Sequence, residues 1–216
     1  MTLPLGRHRA EISDPVQLDV LSFFLKEFRD IYHLPTGTHD LHLLETGAIS
    51  DEEFFDRMVQ RYVAAGGHAE VDGRIAEFVV FGDGMVACAA MVDAVRQVKG
   101  AGYRTALLTN ISRSGEALWS SMLPVDELFD VVVDSSQVGL RKPDPAIFRL
   151  TCERLGLEPT ECLFVDDLRC NVSAATELGM TTIQCKDPVA IADEVVELLL
   201  GRAAADEPEL GVGVAG

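Results

Sequence analysis

The run Cys162-Leu163-Phe164-Val165-Asp166-Asp167 constrains this chain more than any other. An unbroken apolar run of this length reads as a strand buried on both faces, as in the interior of a parallel sheet. It ends abruptly in two adjacent carboxylates. In an open α/β sheet the carboxyl ends of the strands line the ligand crevice, so the pair points into that crevice. Neighbouring carboxylates repel each other unless a cation lies between them. Mg²⁺ suits such a pair, because it is hard, prefers oxygen and shares itself readily with a phosphate. The same residues also fit a helix N-terminus with Asp167 as its cap, stabilised by the helix dipole. Taken alone, the pair does not choose between these readings.

Two further segments point to the same edge. Thr105-Ala106-Leu107-Leu108-Thr109-Asn110 is again an apolar strand ending in polar groups, with Ser112 and Ser114 following as caps or loop donors. A strand end joined to a helix N-terminus gathers hydroxyl and backbone N–H donors suited to an anion, although Thr-Asn also fits an ordinary turn. In Gly139-Leu-Arg-Lys142-Pro143-Asp144-Pro145, Pro143 keeps Lys142 out of helical geometry. Asp144 suits an N-cap there, and Pro145 suits the first helical turn. Lys142 thereby sits on a fixed loop before a helix, able to aim its ammonium at a shared anion.

In this order the three segments resemble the haloacid dehalogenase superfamily of aspartate-nucleophile hydrolases. Thr109 and Asn110 match its second motif, Lys142 its third, and Asp166 with Asp167 its fourth. Arg-Lys-Pro-Asp-Pro, Val-Asp-Asp, Asn171 and the later Leu-Gly-Met180 are similar to one branch, that of the epoxide hydrolase N-terminal phosphatase and sugar-phosphate phosphatases. The resemblance implies a Rossmann-like core under a small helical cap. It also implies that Thr109, Asn110 and Lys142 bind phosphate, that Thr109 and Lys142 serve catalysis, and that Asp166 and Asp167 hold Mg²⁺, with Asn171 nearby. The implied activity is Mg²⁺-dependent hydrolysis of a small phosphorylated metabolite. Positioning and cation clamps are what phosphoryl transfer requires.

One part of the family's pattern is missing. Its first motif is an N-terminal apolar strand ending in Asp-x-Asp, whose first Asp attacks phosphorus. This sequence opens with an Arg7-His8-Arg9 cluster and Asp14-Pro15, which do not suit a buried parallel strand. Without that carboxylate the covalent route has no nucleophile. Phe78-Val-Val-Phe81-Gly-Asp83-Gly84 looks like the motif with one residue deleted, but it has a single carboxylate, and Asp-Gly is a strong turn signal. Asp83 is therefore a weak nucleophile candidate. The lost strand would leave two neighbours unpaired. Three explanations present themselves: a start lying upstream of residue 1, a degenerate chain that fills the gap with residues such as Met1–Ile12, or a partner that supplies the strand. The alternative function is a catalytically inactive protein that binds phosphate and Mg²⁺ and regulates or scaffolds. Haloacid dehalogenation is a weaker third option, since it needs no acidic metal pair.

Length suits one α/β domain with a small insertion. The expected organisation is an atypical N-terminus over 1–15, a helical cap over 16–80, an α/β core with a doubly wound parallel sheet over 81–200, and a small, acidic, Gly-rich disordered tail over 201–216. Helical spacing at Leu18, Leu21, Phe24, Leu25 and Phe28, and a capping box Ser50-Asp-Glu-Glu53, mark the cap. Thirty-five acidic against 18 basic residues give a net charge of −17, which disfavours nucleic acid and anionic membranes as partners. Five scattered cysteines with no Cys-x-x-Cys read as reduced thiols. With no apolar run long enough for a membrane span or signal peptide, the expected setting is cytoplasmic. A homodimer is left open.

Overall fold

The fold is described from a computed structural model covering residues 19, 20, 22–24, 26, 27, 31, 34, 37–68, 71, 86–203 and 211–214. In chain order the first elements with described bounds are α1 (Asp40–Glu45) and α2 (Asp51–Ala64). Then follow α3 (Ala89–Gly100), β1 (Thr105–Thr109), α4 (Gly115–Met122), α5 (Val125–Leu128), β2 (Val131–Asp134), α6 (Ser135–Val138) and α7 (Pro145–Leu155). The rest are β3 (Cys162–Asp166), α8 (Arg169–Glu177), β4 (Thr181–Gln184), α9 (Pro188–Ala203) and β5 (Gly211–Val214).

The five strands form one sheet in the order β2-β1-β5-β3-β4, every pair parallel. Successive side chains on a strand point to opposite faces, and the core divides accordingly. Leu107, Leu163 and Val165 pack with Val95, Val98, Val195 and Leu199 from α3 and α9. Leu108, Cys162 and Phe164 pack with Ile147, Phe148 and Cys152 from α7 and with Ala175 from α8. Helices therefore cover both faces, which is why β1 and β3 are buried at all five positions. This is the doubly wound α/β fold expected from the sequence.

Local chemistry sets the helix ends. Asp144 accepts from the N–H of Ala146 at 2.9 Å, Pro145 occupies the first turn of α7, and Gly156 stops that helix in left-handed geometry at φ 68°. Ser50 caps α2 by accepting from the N–H of Glu53 at 3.1 Å. The reciprocal half of the expected capping box is replaced, because the Glu53 carboxylate accepts from Arg57 instead. A separate apolar cluster, with Val20, Phe24, Ile31, Leu41, Leu44, Phe54, Met58 and Tyr62, forms the interior of the helical unit. Phe54 and Met58 are core residues of that unit.

Two expectations about the ends of the chain need revision. A disordered tail over 201–216 does not describe α9, which runs to Ala203, or β5 at Gly211–Val214. β5 is also the central strand: Val212, Gly213 and Val214 pair with Thr105, Ala106 and Leu107 on one side, and Gly211 to Val214 pair with Cys162 to Val165 on the other. The gap foreseen between the strands that carry the second and fourth motifs is thus filled from residues 211–214. Met1–Ile12 lie outside the described residues. Backbone pairing needs no particular side chain, so a short Gly-Val-Gly-Val segment can saturate both neighbouring edges even though glycine is a poor strand former. The Tyr103 hydroxyl donates to the Leu199 carbonyl at 2.8 Å, which ties the last turns of α9 to the amino end of β1, where β5 begins.

Candidate phosphate and metal site

The carboxyl ends of β1 and β3 bring Thr109, Lys142, Asp166 and Asn171 together. Lys142 is buried on the loop before α7, and its ammonium donates to Asp166 Oδ2 at 2.9 Å and to the Leu108 carbonyl at 2.9 Å. Asn171, in the first turn of α8, donates to both Asp166 oxygens, at 3.0 and 3.1 Å. The Leu168 N–H adds a bond to Oδ1 at 2.8 Å. A carboxylate buried at 3 % exposure is stable only when its charge is paired and its lone pairs are filled, and all three donors serve that end.

The Asn110 side chain bonds the loop that carries Lys142. Its Nδ2 donates to the Lys142 carbonyl at 2.9 Å, while its Oδ1 accepts from the Lys142 N–H at 2.8 Å. The amide thus clamps the lysine loop from both sides. Thr109 is buried, and its hydroxyl has no hydrogen-bond partner among the described residues. Asp83 and Asp14, the two weak candidates for the missing nucleophile, lie outside the described residues.

Asp167 turns outward where Asp166 turns inward. Partial burial first, and then the negative charge of Asp166, push its carboxyl above the usual carboxylate range. A cation between the two would relieve that repulsion. Two hard oxygen donors fit Mg²⁺, which commonly takes one or two protein carboxylates and fills its remaining positions with water and ligand phosphate. Among the described residues no group of three or more His, Cys, Asp or Glu side chains converges on a metal position. Mg²⁺ held by Asp167 and Asp166 would have to displace one of the donors now on Asp166, and would then screen an incoming phosphate from both carboxylates.

Several members of this edge were not foreseen. Arg141 is the largest fully buried side chain among the described residues, and its Nε donates to Glu45 Oε2 at 2.6 Å, joining α1 to the lysine loop. Burial pushes the Glu45 carboxyl up, and the charges of Arg141 and Lys142 pull it back. Asp134 stands in register with Thr109, caps α6 through Oδ1, and leaves Oδ2 buried without a partner among the described residues. Burial, reinforced by Glu116, raises its carboxyl. The Ser135 hydroxyl accepts from the Ile111 N–H at 3.0 Å. The strand ending Val133-Asp134-Ser135-Ser136 carries the same apolar-to-polar signal that marked Thr109 and Asn110. Nothing local marks Arg141, since arginine beside a loop proline reads as exposed until Glu45 is placed against it.

Residues 17–179 match the family model described as haloacid dehalogenase-like hydrolase. The chain belongs to that family. This haloacid dehalogenase-like chain is 45 % identical over 114 residues to mouse acyl-CoA dehydrogenase family member 10, covering 51 % of the chain and 10 % of that protein. It is 31 % identical over 109 residues to rat bifunctional epoxide hydrolase 2, covering 49 % and 20 %. Against the phosphoglycolate phosphatase of Pseudomonas putida it is 26 % identical over 180 residues, covering 73 % and 65 %. The matches thus span a tenth to a fifth of the first two relatives' length. In fold it is similar to a Bacteroides thetaiotaomicron family enzyme solved with magnesium and inorganic phosphate, with TM-score 0.58 at 22 % identity over 78 % of this chain and 85 % of that one. No helix among the described residues is long and apolar enough to cross a membrane.

Proposed function

We propose that the crevice binds a small phosphate monoester together with Mg²⁺, and that residues 1–216 hydrolyse it only negligibly. The buried Lys142–Asp166 contact beside Thr109 carries the binding half of this reading. It puts an ammonium, a carboxylate that can share a metal, and an uncommitted hydroxyl at one edge of one sheet. A phosphate oxygen would accept from Thr109 and Lys142, and Mg²⁺ on Asp166 and Asp167 would take its neighbour. The named phosphatase among the relatives supports the same ligand class.

The second half rests on β5. Val214 is level with Leu107 and Val165, so β5 runs toward the gap between Thr109 and Asp166. Its Gly-Val-Gly-Val sequence offers no carboxylate. Lys142 and a metal can stabilise charge, but neither forms a bond to phosphorus, and loss of a nucleophile commonly costs several orders of magnitude in rate. The combination describes a phosphatase-type hydrolase of this family impaired by the missing carboxylate, and the alternative is a catalytically inactive phosphate- and Mg²⁺-binding protein with regulatory or scaffolding work.

The test is phosphate release from a panel of small esters with Mg²⁺, run beside calorimetric titration of the same esters. Binding without turnover is the expected result. Robust turnover abolished by Asp83→Asn would make Asp83 the nucleophile, and turnover surviving that change would mean another attacking group. Absence of ester binding, or binding indifferent to Asp166→Asn, would remove the phosphate reading itself.

A further inference from the structure

The loop that follows Thr109 is tied down at four of its five residues. Asn110 clamps the Lys142 backbone, the Ile111 N–H donates to the Ser135 hydroxyl at 3.0 Å, and the Ser114 hydroxyl donates to Asp51 of α2 at 2.7 Å. Ser112 bonds to Ser114 at 3.1 Å. Arg113 is the exception. Among the described residues it has neither an ion pair nor a hydrogen bond, which it shares with the exposed Arg149 and Arg169, whereas Arg57, Arg61, Arg96 and Arg141 each bind a carboxylate.

Its position is nevertheless defined. A Cβ added to Gly47 would lie 2.9 Å from Arg113 Nε, 3.2 Å from Nη2 and 2.5 Å from the Ser136 carbonyl. Gly47 also has φ +67°, which favours glycine. The guanidinium therefore lies against bare backbone at the junction of α1, the β1 loop and the β2 loop. Arg113 is exposed and four residues after Thr109 in sequence, and among the described residues it has no ion pair, in a chain that carries 35 acidic against 18 basic residues. An unmatched positive charge on the loop that follows Thr109 would suit recognition of an anion, and a planar guanidinium fork matches a carboxylate or a phosphate.

We propose that Arg113 reads a second anionic group on the ligand, so that the site selects small phosphate monoesters that also carry a carboxylate or a second phosphate. The inference rests on the phosphate reading above and names its ligand class. Lys142 and Mg²⁺ would hold the first phosphate at the sheet edge, and Arg113 would meet the other charged end at the junction with the helical unit.

Calorimetry on the full chain with Mg²⁺ tests it, using phosphoglycolate, glycerol bisphosphate and glycerol 1-phosphate. The two doubly anionic probes should bind about fivefold more tightly than glycerol 1-phosphate, the size of effect expected for an exposed ion pair. Arg113→Gln, an exposed change, should abolish that preference while leaving glycerol 1-phosphate affinity unaltered. Arg113→Lys should restore part of it, and the two charged probes separate a carboxylate from a phosphate as the preferred group. Equal affinities in the parent chain, or a preference that survives Arg113→Gln, overturn the inference and leave the phosphate reading standing. If no probe binds, or if Thr109→Val changes none of the affinities, the phosphate reading falls and takes the inference with it.

Discussion

β3 and β5 lie side by side in the centre of one sheet, paired over four residues, yet they contribute different things. β3 is apolar, buried throughout, and delivers Asp166 into a nest of three donors at its carboxyl end. β5 pairs with β1 over three residues and with β3 over four, and offers glycine and valine. The sheet is closed by backbone and the chemistry is set by whatever side chain follows each strand. A central strand position can therefore be filled without its function being filled.

Removing β5 should produce the largest effect. A chain ending at Ala203 leaves β1 and β3 with unpaired central edges, which invite intermolecular pairing. The expected outcome is aggregation or loss of cooperative unfolding, read by light scattering and thermal melts. A soluble truncation with an unchanged melting curve would show that β5 does not carry the sheet, and the contrast with β3 would lose its basis.

Lys142→Met sharpens the other side of the comparison. It removes the cation from a buried pair and leaves Asp166 charged in the interior, a change that commonly costs about 3–5 kcal/mol. Chemical denaturation should show it. The double change Lys142→Met with Asp166→Leu should recover much of the loss, because no orphan charge remains. A single variant as stable as the parent would mean that Asp166 has ready access to water.

The smallest effect belongs to the helical unit, where Asp40 accepts from Arg57 at 2.7 Å and from Arg61. Burial alone would raise its carboxyl, but the two arginine hydrogen bonds and their charges outweigh that and hold it below its ordinary 3.8. A depressed carboxyl contributes stability above its unfolded value, and the contribution is lost as pH falls through the lower folded value. Asp40→Asn should therefore cost about 1 kcal/mol or less near neutral pH and nothing at the acid end. Melting curves of parent and variant should converge as pH drops below about 3.8. A constant gap across that range would place the effect in packing rather than charge.

Much of the α/β alternation was legible because buried parallel strands write themselves as unbroken apolar runs. The apolar runs ending in polar groups mark the strands observed at Thr105–Thr109 and Cys162–Asp166. The short helices α5 and α6 were not read, since four residues carry no helical period. β5 was misread as tail because Gly-Val-Gly-Val is too short and too rich in glycine to signal a strand by itself. Its state depends on two open edges that lie about 50 and 100 positions away in sequence.

The sequence by itself determined where polar groups interrupt apolar strands, and with that the family and the candidates Thr109, Lys142, Asp166, Asp167 and Asn171. Those features are local, written by alternation, capping and turn chemistry within a few residues. Tertiary structure decided how they meet: that Asn110 clamps a backbone, that Arg141 is buried against Glu45 from 96 residues away, and that the central slot belongs to residues 211–214. A buried charge is acceptable only where a partner arrives to neutralise it, and a strand exists only where an edge is open to receive it. Both conditions are set by distant parts of the chain.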